Sequence, residues 1–222
     1  MNNGQKPILA LESSASSCGA AVLFDQKKHA EIRHREMRKH ASMIISLTNQ
    51  VLTNCGLTLQ DLAAVAVSNG PGSFTGLRIG LSAAKGISTG AQIPLITVPT
   101  FEAGALQLGS IIPPGEHLWI TAKVNTTEYF TAKFLIQKSG YEVVEPVQAR
   151  TLDEVLSVIQ GTDFVAGDSN WFNAAKYVNF DGPSPLFVAQ WARDFGKPIP
   201  PDEIDYVEPD YYKEFIIKRK SE

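Results

Sequence analysis

Ser68-Asn-Gly-Pro-Gly-Ser-Phe-Thr-Gly-Leu-Arg-Ile-Gly-Leu-Ser-Ala-Ala-Lys-Gly86 is the stretch whose reading decides the fold. The run before it, Leu62 to Val67, is short and apolar with two valines, the pattern of a buried strand. Gly70, Pro71 and Gly72 then impose a sharp turn. Ser73 or Thr75 is placed to cap the helix that follows. Glycine inside a helix costs about 1 kcal/mol relative to alanine, and this helix carries several, so something offsets that cost. Gly76, Gly80, Ala83 and Ala84 put small residues one turn apart, which lets another backbone come close. The other return is a bare helix N-terminus that receives an anion. No Gly-Lys-Ser/Thr follows at Walker spacing, and Gly70, Gly72 and Gly76 do not have Gly-x-Gly-x-x-Gly spacing. On pattern alone, close packing and an anion seat stand level.

Around this centre, 222 residues allow one large domain or two small ones. With 44% apolar and 19% charged residues the composition is that of a globular protein. A net charge of −3 gives no general basic field for nucleic acid. Cys18 and Cys55 are too few for a disulfide framework and lack metal spacing, which predicts free thiols in a reducing compartment. Glu12 interrupts the first apolar run after four residues, so no signal peptide is expected. No run approaches the roughly 20 apolar residues of a membrane span. A cytoplasmic protein with no membrane contact is the expectation.

Upstream, Ile8 to Leu11, Gly19 to Phe24 and Lys28 to Arg35 read as three successive strands, with Glu12 to Ser17 as a polar hairpin turn between the first two. Arg33 to His40 is the one basic cluster of the first half, read first as a solvated strand end and second as an RNA contact. Ala41 to Asn54 is a helix without a formal charge. Ile44, Leu47 and Val51 share one side, and Ala41, Ile45 and Leu52 share another. A helix lying on a sheet in a monomer shows one apolar stripe and a charged outer face. This one is expected to be covered on both sides, by a partner or by later parts of the chain. Ile93 to Val98 is a strand and Thr100 to Leu108 a helix. Gly109 to Gly115 is the candidate boundary, dividing the chain into lobes at 1–109 and 110–222.

Beyond it, His117 to Val124, Glu128 to Ile136 and Tyr141 to Val144 read as strands. Thr151 with Glu154 fits a capping box that opens a helix. Phe164 to Ala166 is a strand, and helices follow near Trp171–Tyr177 and Pro185–Phe195. The segment from Phe195 to Glu222 is proline- and charge-rich, and its Lys218-Arg-Lys220 end reads as a mobile tail. Strands followed by alternating helices and strands give an α/β class with mixed sheets flanked by helices.

Gly70-Pro-Gly-Ser-Phe-Thr-Gly-Leu-Arg-Ile-Gly80 resembles, over eleven residues without a gap, the signature of the bacterial TsaB (YeaZ) family. That family belongs to the glycoprotease-like branch of the actin/Hsp70/sugar-kinase superfamily. Ile8-Leu-Ala-Leu-Glu-Ser-Ser14, His40, Ile93 to Ala103, Gly167-Asp168 and Pro209 to Lys213 add to the likeness, which is weak between about Gly109 and Gly161. The resemblance implies two ribonuclease H-like lobes and a role in making threonylcarbamoyladenosine in transfer RNA. It implies a platform without catalytic residues that pairs with a TsaD-type catalytic subunit and works with a TsaE-type ATPase. It also implies self-association as a homodimer, and transfer RNA bound weakly or only in the complex. Two helices would form the partner surface, through His40, Ile44, Leu47, Val51, Phe74, Gly76, Leu77, Gly80, Leu81 and Ala84.

The departures from the family pattern matter as much. Glu12 stands where the superfamily has a phosphate-site Asp, so Glu12, Ser13, Ser14, Gly72 and Ser73 are expected to form a vestigial phosphate site. No cofactor is then required, and ATP binding stays an open alternative. The branch's catalytic members carry His-x-x-x-His, a spacing that lets two imidazoles ligate one metal. Here those positions are Thr100 and Gly104, so no metal site and no metalloprotease are expected. Lys123 and Asn125 replace an acid and an arginine of the family pattern, while Glu128 is kept. The competing readings are an ATP-binding phosphotransferase of the sugar-kinase type and a homodimeric binding protein with no RNA role.

Overall fold

The structure is a computed structural model and describes residues 6–35, 40–167 and 176–212. Two five-stranded sheets carry the molecule. The first opens with the antiparallel strands β1 (Ile8–Glu12), β2 (Cys18–Leu23) and β3 (His29–His34). Helix α1 (His40–Cys55) crosses back, β4 (Ala64–Gly70) pairs in parallel with β1, α2 (Phe74–Ala91) crosses again, and β5 (Leu95–Pro99) pairs in parallel with β4. The order across the sheet is β3-β2-β1-β4-β5.

Helix α3 (Thr100–Leu108) leads to the second sheet. Its strands are β6 (His117–Lys123), β7 (Glu128–Ile136), β8 (Tyr141–Thr151), β9 (Phe164–Gly167) and β10 (Lys176–Asn179), with helix α4 (Leu152–Val158) between β8 and β9. The order is β10-β9-β6-β7-β8. With β6 in the place of β1, the connectivity and strand directions of the first sheet recur strand for strand. These are two ribonuclease H-like lobes. Among the described residues, helix α5 (Pro185–Phe195) is the last α-helix.

The inner strands of the first sheet are buried on both faces, and residue size sorts the two cores. Leu9, Leu11, Val65 and Val67 point to the side covered by α1 and α2. Ala10, Ala64 and Ala66 point to the side covered by α5, where Val188, Ala189 and Ala192 meet them. Small residues on both surfaces let α5 lie close to the sheet. The second core gathers Leu118, Ile120, Phe134 and Ile136 around Phe101, Ala105 and Leu108 of α3.

Packing therefore does not follow a split at residue 110. Helix α3, from the first half, supplies the second core, and α5, from the second half, covers the first sheet. The proline-rich segment after Phe195 is anchored to the first lobe as far as Asp210. Ile199 and Leu95 exchange backbone hydrogen bonds at 2.7 and 3.0 Å, and Ile204 is fully buried in the first core. An apolar residue every few positions ties this strap down. The Lys218–Lys220 end lies outside the described residues.

Two further elements differ from expectation. Strand β8 continues to Thr151 rather than ending at Val144. Pro146 sits where the pairing with β7 shifts register, on the sheet edge, where a missing N–H costs little. The helix expected near Trp171–Tyr177 falls mostly outside the described residues, and its last two positions, Lys176 and Tyr177, belong to β10. At the start of α4, Thr151 and Glu154 form the expected capping box, with Glu154 Oε2 accepting from the Thr151 N–H at 2.7 Å.

Candidate functional site

Strands β1 and β4 run in parallel and end side by side at Glu12 and Gly70, with the start of α2 beside them. The ends of parallel strands are where open α/β sheets place ligands. The expected phosphate-site residues do come together here, but the chain uses them on itself. Glu12 is 1% exposed rather than part of a solvated turn. Its Oε1 accepts from both the N–H and the hydroxyl of Ser14 at 2.6 Å, and its Oε2 accepts from the Ser68 hydroxyl. Burial pushes the carboxyl above its usual range, against the pull of these hydrogen bonds. Both oxygens face protein donors, so the group ties the loop after β1 to β4.

The first turn of α2 is filled in the same way. Ser73 is the cap, its Oγ accepting from the Gly76 N–H at 3.2 Å. The Ser73 N–H donates to the Ser14 carbonyl at 2.7 Å, and the Ser13 hydroxyl donates to the Gly76 carbonyl at 2.8 Å. A Cβ on Gly76 would collide with the Ser13 carbonyl oxygen, and one on Gly80 with the Ser13 hydroxyl. The glycine stripe is thus a close-approach surface, and what approaches it is the chain's own loop. The carbonyl of Ser14 stands where an anion would meet the start of α2.

Between the lobes lies a cavity of about 200 Å³. Ser14, Ser73 and Thr100 line it from the first lobe, and Thr121, Lys123 and Phe130 from the second, with Phe180 to Gly182 at its side. Asp181 takes the cluster arginines, Arg35 at 3.1 Å and Arg33 at 3.9 Å, and the Ser16 hydroxyl at 3.3 Å. Residues 36–39 of that basic cluster lie outside the described residues. The Thr100 hydroxyl accepts from the Gly70 N–H at 3.2 Å, and Phe180 packs onto Gly104 where any side chain would stand. Asn125 folds the β6–β7 hairpin, its Oδ1 accepting from the N–H groups of Thr127 and Glu128 at 2.9 and 3.0 Å. Among the described residues no group of three or more His, Cys, Asp or Glu is arranged to hold a metal, and no helix is long and apolar enough to cross a membrane.

The expected partner face is divided by the packing. Ile44, Leu47, Val51, Leu77, Leu81 and Ala84 are buried, five of them in the first core, and so are Gly76 and Gly80. Those side chains are not a surface, because the stripe with the bulkier, more regular spacing faces the sheet. His40 opens α1, and its side chain lies outside the description. Of the expected contact residues, Phe74 remains exposed, at 38%. Ile45, on the other side of α1, is 46% exposed. Together with Ala41, Arg78, Ile79 and Ala83, and with the buried Ile44 at its floor, they line a groove of about 580 Å³ between α1 and α2. Arg78, Ile79 and Tyr211 were not singled out from sequence. The Arg78 guanidinium lies 3.8 Å over the Phe74 ring, and its Nε donates to the Tyr211 hydroxyl at 2.9 Å.

Comparison with known proteins gives three kinds of likeness. A family model described as TsaD, tRNA N6-adenosine threonylcarbamoyltransferase, matches residues 31–143. The chain is 37% identical over 98 residues to the tRNA threonylcarbamoyladenosine biosynthesis protein TsaB of Haemophilus influenzae, covering 44% of this chain and 41% of that protein. It is 39% identical over 95 residues to TsaB of Escherichia coli, covering 42% and 40%. The match thus spans about two fifths of these curated relatives. A Pseudomonas aeruginosa structure described as similar to the peptidase YEAZ superposes with a TM-score of 0.80 at 19% identity, over 94% of this chain and 100% of the other, and shares the fold.

Proposed function

Because this chain belongs to the threonylcarbamoyltransferase family, and within it to the TsaB (YeaZ) group, we propose that it serves threonylcarbamoyladenosine formation in transfer RNA as a platform subunit. It pairs with a TsaD-type catalytic subunit and carries no catalytic residue itself. The observation that carries this reading is the outer surface of α1 and α2, where Ile45, Phe74, Ile79 and Ala83 line a groove beside helices that hold no acidic residue. Exposed apolar grooves of this kind mark protein partners. A phosphotransferase would need the start of α2 open to phosphate, and the Ser14 carbonyl occupies it. A TsaE-type ATPase completes the assembly, and transfer RNA is met mainly by the complex, since Arg33 and Arg35 are engaged by Asp181.

The test is co-expression with the TsaD-type subunit of the same genome, followed by sizing and pull-down. A stable complex is expected, and Ile45→Asp, on an exposed position, abolishes it while the variant stays folded. Adding this chain to the catalytic subunit and the ATPase restores modification of transfer RNA, which the chain alone does not perform. Turnover of ATP by the isolated chain, or a complex indifferent to Ile45→Asp, overturns the reading.

A further inference from the structure

The strap after α5 does more than fill the first core. Where it runs beside the edge strand β5, it closes a pocket of about 230 Å³. Asn69 and Thr97, near the C-terminal ends of β4 and β5, form one side. Ligands of open α/β sheets sit at such strand ends. Trp191 and Phe195 of α5 form the next side, with ring centroids 5.8 Å apart, and Phe195 is 53% exposed. Lys197 and Asp210 come from opposite ends of the strap. Three polar groups in this wall are unmet. Asn69 is buried, and its Nδ2 donates to the Glu208 carbonyl at 3.2 Å, but its Oδ1 has no donor among the described residues. Among the same residues the Lys197 ammonium pairs with no carboxylate and the Asp210 carboxylate with no cation. The two line one pocket and still do not pair with each other. A buried acceptor left without a donor costs free energy, so its retention calls for a reason.

We propose that this pocket binds a free α-amino acid with an apolar or aromatic side chain. The ammonium group pairs with Asp210 and supplies the donor that Asn69 Oδ1 lacks. The carboxylate pairs with Lys197, and the side chain lies against Trp191 and Phe195. Charge selects the class. A simple amine brings a second cation to Lys197, and a simple carboxylic acid brings a second anion to Asp210, whereas a zwitterion answers both. The aromatic faces attract the ammonium and cover apolar side-chain surface. Size points the same way. Pockets for drug-sized ligands and cofactors hold about 300–1,000 Å³, so this smaller one fits an amino acid rather than a nucleotide. A ligand here touches β4, α5 and the strap at once, and so holds down the segment that buries Ile204 in the first core. The pocket shares no lining residue with the α1–α2 groove, and the role of that groove stands or falls separately.

The experiment titrates the isotope-labelled full chain with L-phenylalanine and L-leucine, following the Trp191 indole and Asn69 side-chain amide signals by NMR. Hydrocinnamate lacks the amine, phenethylamine lacks the carboxylate and glycine lacks the side chain, and these three are the controls. Lys197→Met and Asp210→Asn, both at exposed positions, are titrated alongside after circular dichroism confirms that they are folded. Saturable shifts of both signals with the two amino acids are expected, with each control binding at least tenfold more weakly. Lys197→Met and Asp210→Asn are each expected to weaken amino-acid binding by about fivefold. No saturable shift with either amino acid overturns the site. Binding that hydrocinnamate or phenethylamine matches within twofold overturns the zwitterion, and glycine binding as well as L-leucine overturns the aromatic wall. Binding that neither Lys197→Met nor Asp210→Asn weakens places the ligand elsewhere and overturns the pocket.

Discussion

Ser13 and Gly76 grip each other from both sides: the Ser13 hydroxyl donates to the Gly76 carbonyl at 2.8 Å, while the Ser13 carbonyl occupies the place of a Gly76 side chain. The loop after β1 and the first turn of α2 are consequently one rigid unit. That unit decides what the start of α2 can bind and fixes the angle at which α2 presents its outer face.

Gly76→Ala should therefore destabilise the protein strongly, because the methyl meets backbone that cannot move aside cheaply. Gly86→Ala is the control. It lies in the same helix with open space around it, and should stabilise by about 0.5–1 kcal/mol. Urea midpoints of the two variants decide the matter. Opposite signs within one helix exclude an explanation from helix propensity alone.

Glu12 gives a pH signature. Burial holds its folded carboxyl above the unfolded value of 4.5, so the folded state binds that proton more tightly. The stability this contributes is fully present below the unfolded value and is lost as pH rises through the folded one. Glu12→Gln removes the titration while keeping an acceptor for Ser14 and a donor for Ser68. Wild type should lose stability relative to Glu12→Gln as pH rises above the unfolded value of 4.5 and through the higher folded one. A difference that does not change with pH would falsify this account.

Leu47→Glu and Ile45→Asp lie two residues apart on α1 and should behave in opposite ways. Leu47 is 3% exposed in the first core, where an unpaired charge costs several kcal/mol, so Leu47→Glu should unfold the chain. Ile45→Asp should leave thermal stability nearly unchanged. Melting curves of both variants without any partner test the orientation of α1 independently of the groove's function.

Tyr141 joins three elements. Its hydroxyl donates to Glu102 of α3 at 2.7 Å and accepts from Trp191 of α5 at 2.8 Å, and both contacts raise the cost of losing it from β8. Tyr141→Phe should destabilise by about 1 kcal/mol. The loss is limited because Trp191 Nε1 also reaches Glu102 directly, at 3.2 Å. Calorimetric melting is the measurement, and a neutral result would mean that water replaces the hydroxyl.

Much of the fold was legible because its signals are local. The serine cap before Phe74, the capping box at Thr151 and the glycine punctuation after β4 act within a few residues of the elements they specify. The facing of α1 was not legible. Its two apolar sides look alike in sequence, and whether Leu47 or Ile45 turns inward depends on how the helix crosses β2 and β3. The docking of the strap after α5 is illegible for a related reason. Ile199 and Ile204 are single apolar residues among prolines and acids, and their burial is set by a strand and a core distant in sequence. The phosphate-site residues were found as a group, but their use on one another required Ser68, which no motif marked.

Helix α5 has a consequence for how the protein is made. A ribosome delivers all five strands of the first sheet before any of the second, yet the alanine face of β1 and β4 is covered by a helix translated after the whole second sheet. Until α5 emerges, the nascent first lobe carries a bare apolar face. A translation product that stops before Pro185 keeps that face uncovered, and an isolated 1–109 fragment lacks both α5 and the buried Ile204. Helix α5 is what makes the first sheet a finished object, so the first lobe is completed only after the whole second sheet has been made.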